Sequence, residues 1–338
     1  MPLIRLLPPL LRFQDGDERC YLVKVKYLQH LAGRLGAAAV QAAHAGVPGG
    51  AEFLARLPSL PGEAAVRLLQ RPDLSHALLR LDSARAVGLA TRLLDRSSPS
   101  ADALMVCVSV GLLGHDVPVV ILSDANPACP GAPLGVEDGL AAVRKLGLVW
   151  SEFAACAPAI LAFVERFTAS VVLQATDNAD ALGSWSSDEY VGRTVLMNAH
   201  RPGATTGLLA EMLVHEAIHS CVYMVELEEP LLKDRALVRS SARIPSPWSG
   251  NSLTVNSFVS ACFVWFGLTQ LWTTIQSSGG FWPDGPSRRH VAQRGFDGPS
   301  LMVLLAPYVD GISPEALVAI EAMQAAVQAT LVTVPTNR

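Results

Sequence analysis

Residues 208–219 read Leu-Leu-Ala-Glu-Met-Leu-Val-His-Glu-Ala-Ile-His, and the rest of the chain is organised around this stretch. It contains no glycine or proline, and its apolar residues recur at helical spacing, so the pattern predicts a helix. Two histidines four residues apart project from one face of a helix, one turn above the other. We therefore expect His215 and His219 to bind a single ion such as Zn²⁺ or Fe²⁺.

Glu216 follows the first histidine and completes an H-E-x-x-H pattern, in which the carboxylate can reach a water on the metal. We expect Glu216 to be the catalytic residue. A surface helix with two solvated histidines is the alternative, but the neighbours at 212–214 and 217–218 are apolar and leave little polar face. Buried histidine and glutamate side chains need partners, and a metal supplies them.

The composition of the chain limits the classes of function that it can have. The chain has 338 residues and a formal net charge of −4 from 26 basic and 30 acidic residues, which argues against a nucleic-acid partner. Hydrophobic residues make up 50% and charged residues 17%, as in a compact globular protein. The apolar stretch at 103–122 is interrupted by His115, Asp116 and Pro118, so we expect no membrane partner.

The cysteines indicate a cellular compartment. Six cysteines are scattered along the chain without a Cys-x-x-Cys pair, which is typical of reduced thiols. Residues 1–5 lack the features of a secretion signal. We expect a cytoplasmic protein, and the sequence indicates no oligomeric state.

The residue pattern predicts a helical N-terminal region, residues 1–100, and an α+β metal-binding catalytic domain, residues 101–338. Residues 95–100 are the predicted linker. β-branched residues predict a strand at 191–198, and a Pro-Gly turn leads from it into the metal helix. A second apolar helix is predicted at 252–276. We therefore expect an α+β, mostly helical fold with a zincin-like metal helix beside a small sheet.

The predicted strand has a functional meaning in such a fold. A strand beside the metal helix forms one wall of the cleft, and an extended peptide can pair with it by edge addition. We therefore expect a peptide substrate to lie along residues 191–198.

Residues 191–272 resemble the HExxH-motif proteins of peptide natural-product biosynthesis, regarded as 2-oxoglutarate-dependent peptide β-hydroxylases. The resemblance rests on the metal helix at 213–219, the turn Pro247-Trp248, the second-helix segment Ala-Cys-Phe-Val-Trp-Phe-Gly-Leu at 261–268, and the order of these elements. The chain differs from the family after the turn, where residues 249–252 replace an arginine-rich stretch. It also differs on the second helix, which has no histidine near Asn256 or Ser260.

The resemblance implies an oxygenase that uses Fe(II), 2-oxoglutarate and O₂ to hydroxylate a side-chain β-carbon of a ribosomally made peptide. His215 and His219 would hold the iron, and an arginine would grip the distal carboxylate of the oxoacid. The sequence offers four such arginines, of which the first two are the primary candidates: Arg239, Arg243, Arg288 and Arg289.

The sequence leaves the third metal ligand open. A catalytic metal normally has three protein ligands, but Val225 stands where the extended metzincin pattern has a histidine, and residues 252–276 hold no carboxylate. A two-histidine site without a third protein ligand also fits. The candidates for the third ligand are Glu226, Glu228, Glu229, Asn256, Ser260 and His290.

Two other functions fit the same helix. In a zinc metallopeptidase, Zn(II) would lower the pKa of its water and Glu216 would take the proton as general base. A degenerate relative would bind a peptide, or hold a structural metal, without catalysis.

Overall fold

A computed structural model describes residues 2–13, 17–95, 105–107, 118–120, 131–178, 180–280 and 282–332. These residues form an α+β fold that is mostly helical and contains a small sheet, as predicted. Within residues 2–13 and 17–95 the structure has helices and turns and no strand. The predicted linker lies outside the described residues except for its first residue, and the division into domains at residue 100 stays a prediction.

The described α-helices follow the chain in this order: α1 Leu7–Leu10, α2 Asp17–His44, α3 Gly50–Arg56, α4 Gly62–Leu69, α5 Pro72–Leu79, α6 Ser83–Asp95, α7 Val136–Cys156, α8 Pro158–Phe167, α9 Thr206–Glu226, α10 Arg235–Arg239, α11 Val255–Ser277, α12 Gly285–Asp297, α13 Leu301–Leu305 and α14 Pro314–Val332. Short 3-10 helices cover Leu3–Leu6, Leu57–Ser59 and Ala306–Gly311.

The described strands are β1 Met105–Cys107, β2 Pro118–Val120, β3 Ala132–Pro133, β4 Ser170–Ala175, β5 Gly183–Trp185, β6 Arg193–Met197, β7 Arg243–Pro245 and β8 Ser252–Thr254. The first six form one sheet in the order β1-β2-β4-β6-β5, and β3 pairs with β4. The last two form a separate antiparallel hairpin.

The chain forms two compact units that alternate along the sequence. Unit 1 comprises residues 1–20, 149–164 and 206–338, and unit 2 comprises residues 21–148 and 165–205. Unit 2 contains the six-stranded sheet, and unit 1 contains the metal helix, α9, together with α11 to α14.

The strand predicted at 191–198 is confirmed as β6, but residues Val195 to Met197 do not lie at a sheet edge, as pairing with a peptide there would require. A peptide substrate stays a prediction. β6 pairs in parallel with β4 along its whole length, and residues Val195 to Met197 also pair antiparallel with β5. Hydrogen-bonding groups on both sides of this part of the strand are therefore occupied. The placement of the strand beside the metal helix stays a prediction.

Two side chains of unit 2 hold the turn after β6 in place by hydrogen bonds. Asn198 has a φ of 55°, a left-handed conformation that asparagine tolerates, and its amide nitrogen donates to Thr176 Oγ1 at 2.9 Å. The Lys145 ammonium donates to four backbone carbonyls of residues 199–204, including that of Ala204 at 3.1 Å. Both side chains satisfy backbone groups that a turn leaves unpaired.

In unit 1, α9 packs against α11. The second apolar helix was predicted from residue 252, but β8 occupies residues 252–254, and α11 begins at Val255 because the Thr254 hydroxyl accepts from the Ser257 backbone N–H at 3.1 Å as an N-cap. Gly267 lets the helices approach closely, since a Cβ there would collide with Ile218 Cδ1.

Two helices also bear on the predicted absence of a membrane partner. By length and composition, α9 and α11 are apolar enough to cross a membrane. In each helix 72% of the apolar window is buried inside the protein, as in the core helices of water-soluble proteins. A membrane partner therefore remains untested by the fold, and its absence stays a prediction.

Candidate metal centre

The helix that carries the H-E-x-x-H pattern is confirmed, and it is buried on most sides. α9 runs from Thr206 to Glu226, and fourteen of its residues are buried, including Glu216. His215 and His219 are half-buried. The local sequence explains the helix, because its interior has no proline and its apolar residues surround most of its circumference.

The structure brings the two histidines side by side. Their ring centroids lie 4.9 Å apart, and the rings are tilted by 54°. Nε2 of His215 lies 3.9 Å from Oε1 of Glu216. The His215 side chain is 32% exposed whereas that of Glu216 is 3% exposed, so the imidazole reaches solvent while the carboxylate beside it is buried.

Ser260 of α11 orients the second histidine. Its hydroxyl lies 3.3 Å from Nδ1 of His219, which leaves Nε2 as the nitrogen available to a metal. Metal-binding histidines are usually held through their other ring nitrogen in this way. The ring of Tyr223, one turn further along α9, stacks on His219 with centroids 5.7 Å apart.

The protonation state of His219 suits a metal ligand. The pKa of His219 is lowered to about 4, mainly by burial and also by His215, while Glu216 acts in the opposite direction. The imidazole is therefore neutral at pH 7, the form in which histidine binds a metal.

The described contacts do not identify a third ligand among the candidates. The Glu229 carboxylate accepts the Ile4 backbone N–H at 3.1 Å, His290 is exposed on α12, and Ser260 contacts Nδ1 of His219. Asn256 lies one turn before Ser260 and is half-buried, and Glu226 and Glu228 lie at and just beyond the end of α9. Among residues whose positions the structure describes, no group of three or more His, Cys, Asp or Glu side chains is arranged to hold a metal.

Most of the arginines predicted to bind an oxoacid carboxylate are hydrogen-bonded to other groups of the chain. Arg288 donates to Glu211 at 3.2 Å and to Asp284 at 2.7 Å, so two carboxylates already surround it. Arg243 is exposed and donates to the carbonyls of Ser240 and Ala242 in its own segment. Arg289 donates to the side chain of Gln276. The side chain of the remaining candidate, Arg239, lies outside the description.

The described residues therefore fit the metal better than they fit the co-substrate. Two imidazoles stand together with one nitrogen of His219 oriented by Ser260, which is a donor set that suits Fe(II) or Zn(II). Each candidate arginine whose side chain is described is hydrogen-bonded to another group of the chain, so none is arranged to hold a 2-oxoglutarate carboxylate.

The Pro247-Trp248 turn packs on the second helix. The buried Trp248 indole stacks on Trp265 of α11 with centroids 5.9 Å apart, and its Nε1 donates to the Ala292 carbonyl of α12 at 3.0 Å. A Cβ on Gly295 would collide with the indole ring, so this glycine makes room for it. Two of the three segments on which the resemblance rests, the turn and the second-helix segment, thus pack together.

Sequence reasoning missed Glu211. It lies four residues before His215, and its carboxylate accepts the Trp272 indole N–H at 2.7 Å in addition to Arg288. The same i, i+4 rule that paired the histidines would have placed Glu211 on their face. Its partners on α11 and α12 could not be read from the local sequence.

The comparison with known proteins adds no identity. The chain matches no model of a known protein family, and no curated protein matches it significantly.

Proposed function

We propose that this protein is a metal-dependent oxygenase that hydroxylates a side-chain β-carbon of a ribosomally made peptide, with Fe(II) at His215 and His219 and with 2-oxoglutarate and O₂ as co-substrates. The observation that carries the proposal is the adjacent histidine pair with Ser260 on Nδ1 of His219. The packing of Trp248 on Trp265, within the segments that resemble the peptide hydroxylases, supports the choice of reaction. The proposal includes a zincin-like fold, in which α9 lies beside a strand of the sheet.

The residues of the chain have distinct tasks in this reaction. His215 and His219 bind the metal through Nε2, and Ser260 holds the ring of His219 in that orientation. Glu216, buried beside His215, supplies a negative charge that favours a bound cation. Bound iron would supply the oxidising chemistry of the hydroxylation.

A zinc metallopeptidase is the second candidate, and the position of Glu216 favours it. Its carboxylate lies 3.9 Å from Nε2 of His215, where it could accept a proton from a water on the metal. Burial of this carboxylate would strengthen its interaction with the water, because the local dielectric is low.

The first experiment tests the metal. Purified protein is analysed for metal content beside a His215→Ala/His219→Ala double variant, with His44→Ala at an exposed position of α2 as the matched control. We expect about one metal per chain in the unaltered protein and in the control, and none in the double variant. Equal metal content in all three proteins would contradict the site.

The second experiment separates the two reactions. Iron-loaded protein is incubated with 2-oxoglutarate and the peptide encoded beside its gene, first without oxygen and then in air. We expect succinate and a peptide heavier by about 16 Da only in air. A cleaved peptide in an anaerobic zinc-loaded sample would instead establish the peptidase and overturn the oxygenase.

A further inference from the structure

One face of α9 carries a row of functional positions at four-residue spacing: Gly207, Glu211, His215 and His219. Residues at this spacing lie above one another on a helix. Glu211 therefore stands on the same face as the metal pair, about 6 Å along the helix axis from His215. The charge on Glu211 consequently acts on any cation that the histidines bind.

Glu211 belongs to a cluster that joins three helices. Its carboxylate accepts the indole N–H of Trp272 on α11 at 2.7 Å and pairs with Arg288 on α12 at 3.2 Å. Arg288 also pairs with Asp284 at 2.7 Å. The three charged side chains are only 18 to 28% exposed, so solvent and salt screen them less than they screen surface charges.

Gly207 explains how the second carboxylate reaches this face. A Cβ on Gly207 would collide with the carboxylate of Asp284, so only glycine leaves room for it against the first turn of α9. Two carboxylates then share one guanidinium, and the cluster of Glu211, Asp284 and Arg288 has a net charge of −1 at pH 7.

The charge of this cluster adds to that of Glu216 at the histidine pair. The two imidazole ligands contribute no charge to offset that of a divalent cation, and no group of three or more described His, Cys, Asp or Glu side chains is arranged to hold a metal. A fixed negative charge nearby stabilises a bound cation by Coulomb attraction. We propose that the Glu211–Asp284–Arg288 cluster raises the affinity of His215 and His219 for a divalent cation through its excess negative charge.

This proposal rests on the proposed metal site at His215 and His219. In it Arg288 tunes the affinity for the metal, whereas the sequence analysis named Arg288 as a candidate to bind the oxoacid. An electrostatic role makes a prediction that a purely structural role does not make. Removal of a carboxylate and removal of the guanidinium should change the affinity in opposite directions, and removal of both should restore it.

The experiment measures the Kd for Zn²⁺ by competition with a chromophoric chelator at pH 7.5 in low salt. Glu211→Gln, which brings the cluster to zero charge, should raise the Kd about threefold to tenfold. Arg288→Met, which brings it to −2, should lower the Kd by a similar factor. The Glu211→Gln/Arg288→Met double variant returns the cluster to −1 and should bind within about twofold of the unaltered protein.

Four further measurements make the outcome decisive. Asp284→Asn repeats the charge change of Glu211→Gln at another position, in case one variant folds poorly. Arg67→Met and Glu321→Gln, at exposed positions outside the cluster, should leave the Kd unchanged. All the differences should shrink in 0.5 M NaCl, where the screening length falls to about 4 Å.

Weaker binding by Arg288→Met, without restoration in the double variant, would overturn the electrostatic proposal and leave the proposed function intact. Unaltered Zn²⁺ binding in Glu211→Gln and in Asp284→Asn would do the same, provided that His215→Ala/His219→Ala abolishes binding. Absence of binding by the unaltered protein, or undiminished binding by the double-histidine variant, would overturn the metal pair and this proposal together.

Discussion

At His219 one hydrogen bond distinguishes the two nitrogens of the ring. The Ser260 hydroxyl lies 3.3 Å from Nδ1, which leaves Nε2 for the proposed metal. Loss of such a partner typically costs about 10-fold to 100-fold in metal affinity, because the ring is then free to rotate and change tautomer. We expect Ser260→Ala to raise the Kd for Zn²⁺ by about 10-fold, measured by chelator competition.

Ser277→Ala is the control for this prediction. Ser277 lies on the same helix, is exposed, and its hydroxyl bonds the Thr273 carbonyl at 2.9 Å, far from the pair. The Kd of the Ser277→Ala protein for Zn²⁺ should equal that of the unaltered protein. A Ser260→Ala protein that binds Zn²⁺ equally well would show that the hydrogen bond does not orient the ligand.

His76 of unit 2 gives a pH-dependent prediction. Its ring stacks on Tyr190 with centroids 4.2 Å apart, and its Nδ1 lies 3.1 Å from the Glu189 carbonyl. Burial lowers the pKa of His76 below 6.5, and Arg85, Arg80 and Arg193 lower it further, while Asp82 acts in the opposite direction. The unfolded chain therefore binds a proton more readily, and the free energy of unfolding falls as the pH drops below about 6.5.

Replacement of His76 by glutamine removes this proton while retaining a side chain that can donate to the Glu189 carbonyl. We expect the loss of unfolding free energy between pH 7 and pH 5, measured with urea, to be smaller in His76→Gln than in the unaltered protein. His44→Gln at an exposed position is the control. An identical pH dependence in His76→Gln and the unaltered protein would contradict the prediction.

Among the elements, the contact of α9 with α11 holds the metal helix in place. It depends on Gly267, since a Cβ there would collide with Cδ1 of Ile218, a residue fully buried beside the pair. Overpacking of this kind costs about 1–3 kcal/mol, offset by up to about 1 kcal/mol because alanine favours a helix. We expect Gly267→Ala to lower the free energy of unfolding by about 1 kcal/mol.

A second substitution tests the cause. Ile218→Val removes Cδ1, so the Gly267→Ala/Ile218→Val protein should be less destabilised than the sum of the single variants by about 1 kcal/mol. Gly36→Ala, in α2 with no atom near its Cβ, should stabilise the protein slightly. If the effects of Gly267→Ala and Ile218→Val on the free energy of unfolding are strictly additive, the collision with Cδ1 of Ile218 contributes nothing to the cost of Gly267→Ala.

For the molecule as a whole, the two compact units alternate along the chain. A cut at residue 100 divides unit 2 within residues 21–148 and separates residues 1–20 from the rest of unit 1. Apolar residues of the N-terminal segment are buried, namely Leu3, Ile4, Leu6, Leu7, Leu10 and Leu11. We therefore expect neither 1–100 nor 101–338 to unfold cooperatively when expressed alone.

The measurement is circular dichroism during urea unfolding, with the intact chain as the control. A cooperative transition in both fragments would instead support the domain boundary that the sequence predicts at residue 100. Cooperative unfolding requires a core, and each fragment would expose apolar residues that the other fragment covers in the intact chain.

The sequence determined the features that arise from neighbouring residues. Helical periodicity established α9 and placed His215 and His219 on one face, and β-branched content established the strand β6. The same patterns predicted an α+β, mostly helical fold. These features depend on backbone and side-chain geometry within a few residues, so a single chain segment specifies them.

Only the tertiary structure decided which distant residues meet. It placed β6 in the sheet interior, directed Ser260 to Nδ1 of His219, and engaged Arg288 with Glu211 and Asp284. Each of these contacts joins residues far apart in sequence, and each depends on the packing of whole elements. Periodicity within a segment shows which face of an element is apolar or polar, but it does not show which other element covers that face.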